Sequence, residues 1–184
     1  MLESYTIREM RIMDLHYLHR MYNLLSEEDK RFFHPSFLGT ENISLWWLLA
    51  QMLLCLSSIK FLRKALLHLF PHSVFLPLVV NNKNNVVGFA FLKMKGSLPN
   101  GRFFAELGIV VDETHRGKGL GSKLMENLLK LAQQENVSEV FLTVLSDNMK
   151  AIQLYEKYGF KKVGETVDRW KGRTFQSIIM KKVL

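Results

Sequence analysis

The chain has 184 residues, 48% of them apolar and 23% charged, with 25 Lys and Arg against 17 Asp and Glu, a formal net charge of +8. That length suits one domain that buries roughly 70% of its unfolded surface, and the composition excludes wholesale disorder, a collagen repeat and a polytopic membrane protein. Cys55 is the single cysteine, so a disulfide within the chain and a multi-cysteine zinc site are both excluded.

The opening MLESYTIREM lacks the charged-then-apolar pattern of a signal peptide, and a reducing cytoplasm is the expected compartment. Residues 5–8 (YTIR) alternate as a short strand. Residues 12–25 space Ile12, Leu15, Leu18, Tyr22 and Leu25 at helical intervals. Ser26-Glu27-Glu28-Asp29 reads as a helix N-cap with acids in the first turn. Pro35 and Gly39 mark a loop.

From Ile43 to Ile59 the chain carries no charge and then runs into the basic, apolar KFLRKALLHLF. Seventeen uncharged residues fall at the low end of a membrane span, and Gln51 and the serines weaken that reading. A buried or lid helix pair jointed at Ser57-Ser58 is favoured. A membrane-interfacial helix, with Trp46 and Trp47 at the headgroups and Lys60, Arg63 and Lys64 facing phosphates, is the main alternative and would give peripheral membrane contact through residues 43–70.

After Pro71 the pattern turns to β. Residues 74–80 and 86–94 flank NNKNN as a hairpin, and Pro99-Asn100-Gly101 turns into a third strand over 102–111. Residues 119–135 carry Leu120, Leu124, Leu128, Leu131 and Ala132 on one helical face. A strand over 139–145, a helix over 148–158 stopped by Gly159, and strands over 160–167 and 174–182 complete the chain. Antiparallel strands followed by one βαβ crossover predict an α+β (mixed α/β) fold, a mostly antiparallel sheet of about seven strands in a single domain spanning 1–184, with an apolar helical insertion at about 40–72.

The stretch LGIVVDETHRGKGLGSKL, residues 107–124, is the most informative. Gly117, Gly119 and Gly121 alternate where a buried strand gives way to a helix, and Arg116, Lys118 and Lys123 stand among them. Glycines let a ligand approach the backbone, and free N–H groups at a helix start bind phosphate. The GxxxxGK[ST] pattern of P-loop NTPases is absent, Ser122 replaces the third glycine of a dinucleotide fingerprint, and the upstream hairpins break the parallel βα order that fingerprint needs.

Arg116-Gly117-Lys118-Gly119-Leu120-Gly121 resembles the [QR]-x-x-G-x-[GA] acetyl-CoA loop of the GNAT superfamily of N-acetyltransferases. Asn148 to Phe160 (NMKAIQLYEKYGF) resembles that family's N-x-x-A-x-x-x-Y-x-x-x-G-F block, at a spacing that leaves room for one helix and one strand. The resemblance covers residues 74–182, takes in residues 1–30 only as an expected strand–helix start, and does not account for 40–72, which look like an enlarged version of the family's variable substrate-side region.

That resemblance implies acetyl-CoA as cofactor and transfer of its acetyl group to a primary amine in a ternary complex. It implies a diphosphate on the amides of Arg116, Gly117, Lys118, Gly119, Leu120, Gly121 and Ser122. Backbone groups of Ile109, Val110 and Val111 would meet the pantetheine arm and polarise the thioester carbonyl, and Asn148 and Ala151 would lie near the cofactor. Tyr155 matches the tyrosine that acts as general acid; a phenol with a pKa of about 10 suits donation to a thiolate. Glu106 resembles the strand glutamate that acts as base through water, and alternation sets it on one face with Gly108 and Val110. Tyr158-Gly159-Phe160 reads as a helix stop and a core aromatic.

The acceptor stays open among a small amine, an amino sugar and a peptide or protein amine, as does the choice of monomer or homodimer. The alternative is a non-catalytic acyl-CoA-binding regulatory domain. No nucleic-acid motif or aromatic–basic strand face is present, so no specific nucleic-acid partner is expected, and six histidines without ligand spacing give no expectation of a metal.

Overall fold

A computed structural model describes residues 5–11, 13–33, 74–83 and 85–184. The apolar segment at 40–72, with the lid and membrane readings attached to it, lies outside the described residues. Among the described residues no helix is long and apolar enough to cross a membrane.

The elements run β1 (Thr6–Glu9), α1 (Asp14–Leu24), α2 (Glu27–Phe32), β2 (Phe75–Asn82), β3 (Asn85–Ser97), β4 (Phe103–Val111), α3 (Leu120–Gln134), β5 (Val137–Leu145), α4 (Met149–Lys157), β6 (Lys161–Trp170) and β7 (Arg173–Val183). The seven strands form one sheet in the order β1-β2-β3-β4-β5-β7-β6. All neighbours are antiparallel except β4 and β5, which α3 joins by the crossover that a parallel pair requires. The α+β architecture and the strand count expected from the sequence are those observed.

Both faces of the central strands are covered, which is why β2 and β3 read as nearly unbroken apolar runs rather than alternating ones. One face carries α3, whose Leu120, Leu124, Met125, Leu128, Leu131 and Ala132 form a buried stripe against β2, β4 and β5. Burying each such leucine contributes about 1.5–3 kcal/mol. The other face carries α1 and the end of α2 over an aromatic cluster of Phe33, Phe75, Phe89 and Phe91, in which Phe75 and Phe91 stack with centroids 4.8 Å apart. Gly108 makes room for that cluster, since a Cβ there would lie 2.4 Å from the Phe91 ring.

The sheet is divided along its middle. β3 follows β4 to its last residue, Val111, but β5 pairs with β4 only from Phe103 to Glu106. Beyond that point β5 continues beside β7 as far as Leu145, and the two parallel strands part. Residues 107–111 of β4 therefore keep a strand partner on one side only, and a gap opens toward the C-terminal ends of both strands.

Candidate active site

The glycine-rich loop stands at the mouth of that gap. A 3-10 turn, Glu113–His115, follows β4 and is capped by Asp112, whose Oδ1 accepts from the Thr114 N–H at 2.9 Å and lies 3.1 Å from His115 Nδ1. Burial alone would push the Asp112 carboxyl up; hydrogen bonds from Thr114 and His115 outweigh it and hold the group below the usual carboxylate range. Gly117 and Gly119 then take φ of +75° and +74°, the left-handed region that costs a side chain about 1–2 kcal/mol. Nothing lies within 4 Å of where their Cβ atoms would be, so the space beside both is open. Gly119 is the N-cap of α3, and the amides of Leu120, Gly121 and Ser122 are the first of the helix, which have no acceptor within it.

α4 faces the same opening. Asn148 caps it, its Oδ1 accepting from the Ala151 N–H at 3.2 Å. α3 and α4 lie side by side, since a Cβ on Gly121 would contact Leu154 at 3.4 Å and the Tyr158 hydroxyl donates to Glu126 of α3 at 2.8 Å. A cleft of about 680 Å³ runs between the two helix starts and the end of β4.

Ile109, Val110, Val111, Arg116, Gly117, Gly121, Ser122, Asn148, Ala151 and Tyr155 all line this cleft. Tyr155 is 7% exposed, and burial pushes its hydroxyl up to about 12. Leu120 is buried in the core and offers the opening only its backbone. Lys118 is turned away toward β1, with Nζ donating to the Tyr5 hydroxyl at 2.9 Å. Arg116 lines the cleft with its guanidinium already engaged, Nε donating to the Val111 carbonyl at 2.9 Å and Nη2 lying 2.7 Å from Asp29 Oδ1. Glu106 is paired with Lys95 at 3.0 Å and is not among the lining residues.

The sequence reading passed over one wall. Ser26, Glu28, Asp29 and Phe32 of α2 and Asp147 before α4 also line the cleft. Helix α2 is fastened to both rims of the gap, to the β4 side by Asp29–Arg116 and to the β5 side by Arg31–Asp147 at 2.9 Å. A second hollow of about 550 Å³ lies between α2 and the β6–β7 turn, lined by Glu27, Arg31, Trp170 and Phe175 among others, and shares Glu28 with the first. The Ser26–Asp29 run was legible as a helix start; which way that start faces had no signal in the local pattern.

Chemically, the loop offers unpaired amides, open backbone and a helix dipole to a phosphate. The one-sided β4 offers backbone groups to an extended chain, and Tyr155 offers a proton. These residues fit a diphosphate carried on a long amide-bearing arm.

Comparison with known proteins agrees with that geometry. The chain is 33% identical over 97 residues to the spermine/spermidine N(1)-acetyltransferase of Bacillus subtilis (strain 168), an overlap covering 48% of this chain and 61% of that relative. The chain spans less than two thirds of the length of the curated relatives it matches. The fold is shared with a GNAT-family acetyltransferase of Streptococcus pneumoniae at a TM-score of 0.72 and 23% identity, over 98% of this chain and 99% of that one. It is shared too with the Salmonella typhimurium protein yncA, solved with its cofactor acetyl-CoA, at a TM-score of 0.67 and 20% identity, over 97% and 93% of the two chains. The model of the acetyltransferase (GNAT) family matches residues 18–160, taking in the parted strands, the glycine turn and the helix of Tyr155 alike, and the chain belongs to that family.

Proposed function

We propose that the chain transfers the acetyl group of acetyl-CoA to a primary amine by direct attack in a ternary complex. The observation that carries the reading is the convergence, in one cleft, of Gly117, Gly121 and Ser122 of the glycine loop, the one-sided end of β4 and the buried Tyr155; Gly119 shapes the loop through its positive φ and is not itself among the lining residues. Family membership and the fold shared with acetyltransferases support it.

Acetyl-CoA supplies an activated acyl thioester and a diphosphate by which to hold it. The amides of residues 117–122 bind the diphosphate. Arg116 frames that loop through Val111 and Asp29 and adds positive charge, rather than reaching out as a free cation. Backbone groups of Ile109, Val110 and Val111 pair with the extended arm and donate to the thioester carbonyl. Asn148 fixes the start of α4, so that Ala151 and Tyr155 keep their places along the cleft.

Tyr155 is protonated at neutral pH, as an ordinary phenol is, and burial pushes its hydroxyl further up, to about 12. Its Oη holds a proton for the departing thiolate. Glu106, paired with Lys95 and outside the lining, takes the amine proton only through a water. The acceptor is a small cationic amine, a class to which the named substrates of the Bacillus subtilis relative belong.

The test is thiol release from acetyl-CoA across a panel of amines, beside calorimetry with acetyl-CoA alone. Release that depends on the amine is expected. Tight binding with no release for any amine would leave the alternative, a non-catalytic acyl-CoA-binding domain.

A further inference from the structure

Two buried side-chain polar atoms have no hydrogen-bond partner among the described residues, Asn82 Oδ1 and Asp29 Oδ2. Only Asp29 lines the cleft. Its side chain is 9% exposed, and its other oxygen, Oδ1, lies 2.7 Å from Arg116 Nη2. A buried carboxylate oxygen left bare costs free energy, and native structures leave few such atoms without a reason.

An ionised carboxylate only accepts, so the missing partner is an N–H or O–H donor or a cation. Among the described residues no cluster of three or more His, Cys, Asp and Glu stands ready to hold a metal ion. The surroundings favour a charged nitrogen. Four carboxylates, Glu28, Asp29, Glu113 and Asp147, line the cleft against two cations, Arg116 and Lys150, an acidic wall on balance although Arg31 lies 2.9 Å from Asp147 and 3.8 Å from Glu28. Glu28 also lines the hollow between α2 and the β6–β7 turn, beside Arg31, Lys171 and Arg173. In that hollow Lys171 already lies over the Trp170 ring at 4.9 Å and Arg31 over the Phe175 ring at 5.2 Å, so the amine's recognition rests on the cleft itself.

We infer that Asp29 is the seat of the acceptor, its Oδ2 taking a hydrogen bond from the ammonium while Arg116 holds Oδ1 and fixes the carboxylate plane. This rests on the acetyl-transfer reading and goes beyond it, naming the residue that binds the amine. Arg116 thereby serves both ligands, ordering the phosphate loop through Val111 and orienting the acceptor's carboxylate. An amine seated here lies in the same cleft as Tyr155.

The test is Asp29→Asn, which keeps an oxygen for Arg116 and replaces Oδ2 with an N–H₂ group that repels an ammonium. Steady-state kinetics are measured with acetyl-CoA against spermidine and against lysinamide, together with calorimetry of acetyl-CoA. The expected result is a KM for the better amine raised tenfold or more, with the Kd of acetyl-CoA unchanged within threefold. A Kd for acetyl-CoA raised tenfold with the amine KM unchanged would overturn the inference and assign Oδ2 to an amide of the cofactor's arm, the acetyl-transfer reading standing. Wild-type protein that releases no thiol with either amine would overturn the inference, and none with any amine of the wider panel would overturn the acetyl-transfer reading as well. If Asp29→Asn does not fold, Glu28→Gln carries the test. A smaller rise in amine KM that vanishes in about 0.5 M salt is then expected, and an unchanged KM at low salt would overturn the acidic-wall account.

Discussion

Tyr155 and Phe160 are bound to each other twice. Their rings lie 6.0 Å apart at 60°, and the Phe160 N–H donates to the Tyr155 carbonyl at 3.1 Å. Gly159 between helix and strand takes φ of +81°, and its N–H donates to Glu156 at 2.9 Å. Together these bonds and the apolar contact make a Schellman stop. The helix ending thus also fixes the ring of the proposed acid. Tyr155→Phe keeps that packing and removes only the hydroxyl, whose raised pKa is caused by burial alone. We expect the Tm to stay within about 2 °C, as no buried contact of the ring is lost, while kcat falls by about 100-fold or more. Thermal unfolding and steady-state kinetics on the same preparation check both.

Gly119→Ala tests the phosphate loop. No atom stands where the new methyl would go, so the effect is one of backbone strain and not of collision. Holding alanine at φ near +74° costs about 1–2 kcal/mol, which the loop escapes by rotating its amides out of line. Acetyl-CoA should bind about 5–30-fold more weakly by calorimetry, with a much smaller change in Tm because the loop is at the surface. An unchanged affinity would remove the loop from the site.

The junction of β1 and α1 gives a prediction in pH. Arg8 grips Asp14 with two prongs, at 2.6 and 2.8 Å, and the Arg11 N–H donates to the same carboxylate at 2.6 Å. Burial pushes the Asp14 carboxyl up, but the hydrogen bonds from Arg8 and Arg11 outweigh it and leave it below the usual carboxylate range. A group depressed on folding stabilises the protein above its unfolded pKa, about 4, and loses that contribution as pH falls through its folded value. Asp14→Asn should therefore cost about 2 kcal/mol at pH 7. The gap between variant and wild type should narrow steadily below about pH 4, as read from denaturant unfolding across pH.

What the sequence disclosed and what it hid divide by distance along the chain. The glycine turn, the Asn148 cap, the Gly159 stop and the leucine stripe of α3 are all set by neighbours within a turn or two, so their patterns were readable. Alternation likewise assigned Glu106, Gly108 and Val110 to one face, where Gly108 and Val110 meet the aromatic cluster beneath α1 and α2. Arg116 was read as positive charge beside the phosphate loop, and its guanidinium is engaged with Asp29, 87 positions earlier in the chain. Lys118 was likewise drawn off, to Tyr5. No periodicity records such partners, because a charged side chain takes whichever counter-charge the fold brings near. For the same reason the α2 wall was invisible.

The seam between the two halves of the sheet is only four residue pairs long, from Phe103↔Val137 to Glu106↔Phe141. Past that seam the two strands run on without pairing to each other. At their far ends the crosspiece is α2, pinned by Asp29–Arg116 on one arm and Arg31–Asp147 on the other. Ion pairs thus tie α2 to the two rims, while Phe33 at its end is anchored in the aromatic cluster. Dissolved ions weaken the more exposed Arg31–Asp147 tie before the one to the buried Asp29.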